Sequence, residues 1–359
     1  MAGLFENIVL NRKPKVSDYL IELLEKAKRE HGVNSSEYLG IYNQYFNIPD
    51  LIQSKLTNLR HYDAEIHQDG VPRGLERLYK RSIVIDLLSS CAGECLFCLR
   101  GYYPKFVLNN NEINEIATYC SKDPYLKEVL ITGGDPFIAP NKLKQLITEL
   151  AYKANNIKII RIGTRLPVQN PEQFDETFNA FFKALSTRFI FEIACQINHY
   201  YELQDKPKEI FKRLRDCGCY LYSQNVLLKG VNDDIEVLTR LYDELRYLGI
   251  MPHYLFHAIP MKGTDSFRTS VQRGIDLIRE LTSSGQISGR TKPQYALMTD
   301  VGKVTLYEGT ILNREGNFIS IKTKYKLEDR IKWIPNYILP ASAILGKDGN
   351  IVVKYLDSQ

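Results

Sequence analysis

Along the middle of this chain the apolar positions change rhythm repeatedly. Short runs rich in β-branched and aromatic residues, Ser82–Leu88, Glu128–Thr132, Lys158–Gly163, Phe189–Cys195, Tyr220–Leu228 and Pro252–Ala258, predict strands. Between them apolar residues return every three or four positions. NKLKQLITELAYKA, PEQFDETFNAFFKAL, PKEIFKRLRDCG, DIEVLTRLYDELRYLG and SVQRGIDLIRELTSS therefore predict amphipathic helices. Strand and helix alternating at this spacing imply right-handed βαβ units around a parallel sheet, an α/β fold. Six such units, with a further strand near Tyr295–Met298, suit a partial or full barrel better than a short open sheet. In such a barrel the chemistry sits where the strands end.

The flanks read differently. In VSDYLIELLEKA, Tyr19, Leu20, Leu23, Leu24 and Ala27 share one helical face, and SSEYLGIYNQYF predicts a second helix with Ser35 or Ser36 near its N-cap. The polar segment HQDGVPRG then leads into the main body. After about residue 300 KVTLYEGTILNREGNFISIKTKY and SAILGKDGNIVVKYL are β-rich, with turns at Glu315-Gly316 and Asp348-Gly349. The expected organisation is an N-terminal helical region over 1–75, a barrel over 76–302 and a β-rich C-terminal extension over 303–359. No internal repeat or low-complexity linker interrupts it.

Composition narrows the class. With 44% hydrophobic and 25% charged residues the chain reads as an ordinary globular protein. A net charge of +5, with no basic stripe, argues against a nucleic-acid partner. The start MAGLFENIVLNRKPK lacks a signal peptide's apolar core, and no apolar run is long enough for a bilayer. A cytoplasmic protein with no membrane partner is the expectation. Seven cysteines, an odd number with three of them inside eight residues, fit a disulfide framework poorly.

Those three close the first predicted barrel strand. Ser82–Leu88 runs directly into CAGECLFCLR, which places Cys91, Cys95 and Cys98 in a Cys-x3-Cys-x2-Cys loop. Thiolates are soft ligands, and three on one loop can hold three irons of a 4Fe–4S cluster. The iron left without a thiolate then offers an open position to a small chelating cofactor. Zinc is the rival, with His199 or the Cys217/Cys219 pair completing the site, but structural zinc wants four closed ligands and no second CxxC follows. Further along, ITGGDP sets two glycines directly after a strand, where the backbone can approach a ligand closely or simply turn tightly.

The cysteine loop resembles the signature of the radical S-adenosylmethionine superfamily, in which the open iron chelates that cofactor and one electron releases a 5′-deoxyadenosyl radical. CLFCLR, ITGGDP, RIGTRLPV, the Gln196/Asn198/His199 group of CQINHY, SQNVLLKGVND and HYLFHA followed by FRTSVQRGIDLI are similar, in order, to the lysine 2,3-aminomutase family, from about Gly74 to Lys303. IPNYIL is a weaker echo. The resemblance implies a partial radical-SAM barrel of about six βα units. It implies that Gly133, Gly134, Asp135, Gln196 and Gln224 line the S-adenosylmethionine pocket, and that Arg100 binds the α-carboxylate of an amino-acid substrate. It also implies pyridoxal 5′-phosphate held by a lysine. Lys303 in PQYALMTDVGKV is the candidate and Lys332 in IKWIPNYIL the second. Tyr79 and Tyr254 match family phosphate-site tyrosines, whereas the flanking arginines are replaced by Leu78 and Ser82, with Arg77 and Arg81 nearby.

The substrate end departs from the family. Lysine-specific members hold the distal ammonium with two aspartates, and here those positions carry His257 and Met298. Without that paired charge a buried ammonium lacks its partner, so lysine is not the expected substrate. An acidic, aromatic or uncharged amino acid is, with His257 facing its distal end or else serving as a core histidine. The leading expectation is an amino-acid 2,3-aminomutase supplied by a reducing electron donor. A second keeps the radical chemistry without pyridoxal phosphate, as an epimerisation, dehydrogenation or other isomerisation. A third, of another class, is a non-catalytic metal-binding protein. Family enzymes form homo-oligomers, for which the β-rich extension is a candidate interface.

Overall fold

Two helices open the computed structural model, which describes residues 15–49, 54–56, 70–77, 79–100, 105–283, 287–306 and 309–357. Helix α1, Asp18–His31, is capped by the Ser17 hydroxyl and buries Leu20, Leu23, Leu24 and Ala27, the face expected from the sequence. Helix α2, Ser36–Tyr45, starts at the Ser35 cap. Both helices share one hydrophobic core with the sheet that follows.

That sheet has nine strands in sequential order: β1 Leu75–Glu76, β2 Ser82–Leu88, β3 Glu128–Gly133, β4 Ile159–Thr164, β5 Ile190–Cys195, β6 Tyr220–Leu227, β7 Met251–His257, β8 Gln294–Thr299 and β9 Gly302–Thr305. Strands β2 to β8 run parallel, while β1 and β9 pair antiparallel at the two ends. Helices return the chain after β2 to β7: α3 Asn110–Lys122, α4 Pro140–Lys153, the short α5 Leu166–Gln169 with α6 Thr177–Leu185, α7 Asp205–Asp216, α8 Ile235–Tyr247 and α9 Val271–Ser283. These make the six expected βα units. The sheet curls into an open half-barrel whose ordered pairing runs from β1 to β9 without closure among the described residues.

Alternation along the strands sorts the two faces. Ile83, Ile85, Val129, Ile131, Ile160, Ile162, Phe191 and Ile193 are fully or almost fully buried and join the core with the helices. The intervening positions, among them Glu128, Arg161, Glu192, Tyr222, Gln224, Tyr254 and Phe256, are only half-buried and line the concave face. On that face Arg161 pairs with Glu128 and Glu192 and takes Tyr222 Oη at 2.7–2.8 Å, a charged floor tying β3 to β6.

The C-terminal extension is a second, antiparallel sheet in the order β10-β11-β13-β12, with β10 Ile311–Glu315, β11 Phe318–Lys326, helix α10 Leu327–Trp333, β12 Ala343–Leu345 and β13 Asn350–Leu356. Both expected turns are present, with Gly316 and Gly349 at positive φ. Strand β9 straddles the boundary expected at 302/303, so residue 303 belongs to the barrel sheet. No described helix is long and apolar enough to cross a membrane.

Candidate active site

The loop leaving β2 carries Cys91, Cys95 and Cys98 as free thiols, Cys95 buried and the other two half-buried. Burial pushes the Cys91 thiol well up, with the neighbouring Cys98, Asp135 and Cys95 adding to it. Cys95 is pushed up to about 11 by burial, against the pull of the Arg165 guanidinium. A bound metal would reverse this, because a coordinating thiol is deprotonated outright. Three thiols on one loop are the soft donor set that an iron–sulfur cluster takes, one thiolate to each of three irons. The residues considered for zinc are engaged elsewhere. His199 uses Nε2 on Ser36 Oγ at 3.0 Å and Nδ1 on the Tyr201 amide at 3.2 Å, while Cys217 and Cys219 face each other at 3.8 Å.

Behind the cysteine loop stands the ITGGDP turn. Gly133 has φ +107°, and a Cβ on it or on Gly134 would collide with the Leu88 and Ser90 backbone. Gly134 N–H donates to Leu88 O and Asp135 N–H to Ser90 O at 2.9 Å. The close approach that these glycines permit is therefore to the chain leading into the cysteine loop. Asp135 is engaged by the protein's own donors. Its oxygens accept from Thr164 Oγ1 at 2.8–2.9 Å and from the amides of Arg165 and Leu166 at 2.7 Å, with the Phe137 amide at 3.2 Å. A carboxylate so occupied builds the wall of the site. Gln196, just past β5, and Gln224, on the concave face of β6, are half-buried with side chains making no hydrogen bond to a described residue.

On the other side of the barrel the structure brings Lys303, Tyr79 and Tyr254 together. Lys303 Nζ lies 4.2 Å from the Tyr254 ring centre and 5.3 Å from that of Phe256. Its amide donates to Tyr79 Oη at 3.5 Å, and Tyr325 Oη donates to its carbonyl. Gly302, directly before the lysine, has φ +117°. A Cβ there would stand 3.1–3.3 Å from Tyr325 Oη, Tyr79 Oη and Arg330 Nη2. Burial, helped by the Arg161 charge, pulls the Lys303 ammonium down to about 8. Lys332 is the opposite case, 63% exposed and paired with Asp329 at 2.9 Å, which raises it. Of the arginines near Tyr79, Arg77 is turned to Asp123 at 2.6 Å and Arg81 is exposed, while Leu78 lies outside the described residues. The guanidinium beside Tyr79 and Tyr325 is Arg330, from α10, at 5.6 and 4.7 Å from their rings. No local pattern marked it, since it arrives from the extension.

Arg100 and His257, the substrate-end candidates, both have partners within the protein. Arg100 is already held by the protein's own acids, Glu76 at 3.0 Å and Asp86, both buried. These acids fix the guanidinium beside the cysteine loop, bonded through Nη1 and Nη2. His257 is 1% exposed, with Nδ1 2.9 Å from Tyr355 Oη and Nε2 2.8 Å from Thr269 O. The carbonyl accepts only, so Nε2 carries the proton, and Tyr355 donates to Nδ1. Burial lowers this histidine to about 4, with Arg268 adding to the effect. His257 thus ties β7 to the C-terminal sheet instead of facing a ligand. The unfolded chain protonates it below about pH 6.5 and the folded one does not, so stability falls as pH drops from about 6.5 to 4. At about 1.4 kcal/mol per unit the loss reaches about 3 kcal/mol. In urea unfolding at several pH values, His257→Gln should show a loss smaller by that amount; an unchanged pH slope would refute the assignment.

An open barrel of parallel strands with three cysteines on the loop leaving the first of them defines a class, the radical S-adenosylmethionine proteins. No family model matches the chain. A putative L-lysine 2,3-aminomutase of Aquifex aeolicus is 32% identical over 273 residues, 74% of this chain and 72% of that protein. The L-lysine 2,3-aminomutase of Buchnera aphidicola subsp. Baizongia pistaciae is 33% identical over 62% of this chain and 64% of its own length. The glutamate 2,3-aminomutase of Clostridioides difficile is 26% identical over 73% and 65%. The chain belongs to the lysine 2,3-aminomutase family, as a divergent member.

Proposed function

We propose that this protein is a radical S-adenosylmethionine amino-acid 2,3-aminomutase, with its cluster on Cys91, Cys95 and Cys98 and pyridoxal phosphate on Lys303. The observation that carries the second half is the lysine itself, caged by Tyr254 and Phe256 and lowered to about 8. A buried lysine with a depressed pKa is what covalent attachment to an aldehyde cofactor needs. When bound, pyridoxal phosphate supplies a π system that stabilises a substrate radical during nitrogen migration. The chain's own residues do the rest. Tyr254 and Phe256 cover Lys303 Nζ, and Tyr79 and Arg330 offer a hydroxyl and a cation for a phosphate. Gln196 and Gln224 keep free amides for the S-adenosylmethionine side of the cavity, with Gly133, Gly134 and Asp135 forming the wall that fixes the cysteine loop.

The substrate we propose is an amino acid other than lysine. A neutral His257 bonded at both nitrogens and an uncharged Met298 leave the two aspartate positions without an anion for a distal ammonium. The required partner is a one-electron reductant. The test is anaerobic reconstitution with iron and sulfide, then addition of S-adenosylmethionine, reductant and pyridoxal phosphate. Formation of 5′-deoxyadenosine together with a borohydride-sensitive pyridoxal absorbance supports the reading. A cluster that cleaves S-adenosylmethionine without capturing pyridoxal phosphate would leave radical chemistry of another kind. One bound zinc and no cleavage would favour a metal-binding protein.

A further inference from the structure

The TRLP turn after β4 sends a charged side chain into the back of the cysteine loop. Arg165 follows the last residue of β4, and its side chain is 6% exposed. Nη1 donates to Cys95 Sγ at 2.9 Å, while Nη2 donates to Gln44 Oε1 at 3.0 Å and to Glu202. The rings of Tyr45 and Phe97 stand 5.3 and 5.5 Å from it. Asp135 fixes its backbone by accepting from the Arg165 amide at 2.7 Å. One turn on, Gln169, 1% exposed, donates from Nε2 to the same sulfur at 3.3 Å. Two buried N–H donors, one of them cationic, thus converge on a single cysteine of the three.

We infer that Arg165, seconded by Gln169, is a positioning residue that sets the electron affinity of the cluster through N–H···S hydrogen bonds to Cys95. The inference rests on the reading of Cys91, Cys95 and Cys98 as cluster ligands. When the oxidised cluster takes one electron from its reductant, no bond is made or broken, and the added negative charge spreads onto the sulfurs. A donor already aimed at a ligand sulfur stabilises that charge, and a charge-assisted donor does so about twice as strongly as a neutral one. The reduced form is therefore favoured, and removing the donors makes the cluster harder to reduce. Holding Arg165 in place does not require the sulfur. Gln44 and Glu202 already bind its other nitrogen, and the remaining Glu202 oxygen takes the amides of Asn198 and His199 at 2.7 and 2.9 Å.

The experiment is an electron-paramagnetic-resonance redox titration of the reconstituted full chain, without substrate. Arg165→Met alone would strand a buried carboxylate, so it is paired with Glu202→Gln, which removes cation and anion together. Gln169→Met tests the neutral donor with no change of charge. At a fixed poise the reduced-to-oxidised ratio should fall about tenfold in the double variant, about 59 mV for a one-electron couple. Gln169→Met should move it in the same direction by about two- to threefold. Variants that keep their iron with ratios within experimental error of the parent would overturn the inference. So would a double variant that loses its cluster beside a Gln169→Met protein whose ratio is unchanged, since that is a purely structural role. A parent protein that assembles no iron–sulfur chromophore would overturn the cluster reading itself, a different failure visible before any variant is made.

Discussion

Replacing Lys303 with methionine is expected to abolish capture of pyridoxal phosphate and, at the same time, to stabilise the empty protein. Both effects come from one cause. The ammonium is held against Tyr254 and Phe256, where burial costs more than the aromatic contacts return, so its pKa falls to about 8. An ordinary lysine near 10.4 is neutral in only about one molecule in 2,500 at pH 7, whereas this one is neutral in about one in ten. Attack on an aldehyde should therefore quicken with pH and level off above about pH 8. The folded protein binds fewer protons than the unfolded chain between about pH 8 and 10.4, so the lysine's penalty is fully present below 8 and fades as pH rises. Removing it should raise stability at pH 7 by about 2–3 kcal/mol, before any loss of aromatic contact is subtracted. Urea unfolding at pH 7 and 10.5 measures this: the variant should gain at the lower pH and much less at the higher. Pyridoxal absorbance before and after borohydride measures the other half. A Lys303→Met protein that still acquires a borohydride-stable pyridoxyl mark would show that another lysine is the site.

What was readable in the sequence was local. The strand and helix periods placed six βα units, a cap at Ser35 or Ser36 and the turns at Gly316 and Gly349, because each depends on residues a few positions apart. The three cysteines were readable for the same reason. The surroundings that decide what each group does come from far along the chain. Arg165 meets Cys95 across 70 positions and Gln44 across 121, so nothing near RIGTR showed that its last arginine points at a thiol. His257 looked free to face a ligand because its partner, Tyr355, lies 98 residues on in the extension. Arg100 shows a third limit. Its acids, Glu76 and Asp86, sit on β1 and β2, and only their antiparallel pairing brings both to one guanidinium. The motif ranked Lys303 ahead of Lys332, but it did not show the physical difference between them, which is burial.

Cys95→Ser is expected to remove the metal centre, with iron falling from about four per chain toward zero and 5′-deoxyadenosine formation lost. Three thiolates are the minimum that leaves one iron open for a chelating cofactor. Taking one away leaves two irons exposed to water, and a serine hydroxyl does not ionise readily enough to replace a thiolate. Cys91→Ser and Cys98→Ser should behave alike, since all three leave the same loop. Cys120 and Cys195 are buried, and Cys217 and Cys219 pair with each other beyond α7, so serine at any of these should leave the iron in place. The contrast separates the readings sharply. A structural zinc site would bind one ion, keep no charge-transfer absorbance and depend on a fourth protein ligand, which serine scanning of the remaining cysteines would expose. Iron that survives Cys95→Ser at full content would refute the cluster assignment. Cys95 is the most telling of the three because Arg165 and Gln169 both point at it. Alanine at Cys95 would strand both buried donors, which a serine oxygen can still accept, so the empty Cys95→Ala protein should be less stable than empty Cys98→Ala, by about 1–3 kcal/mol.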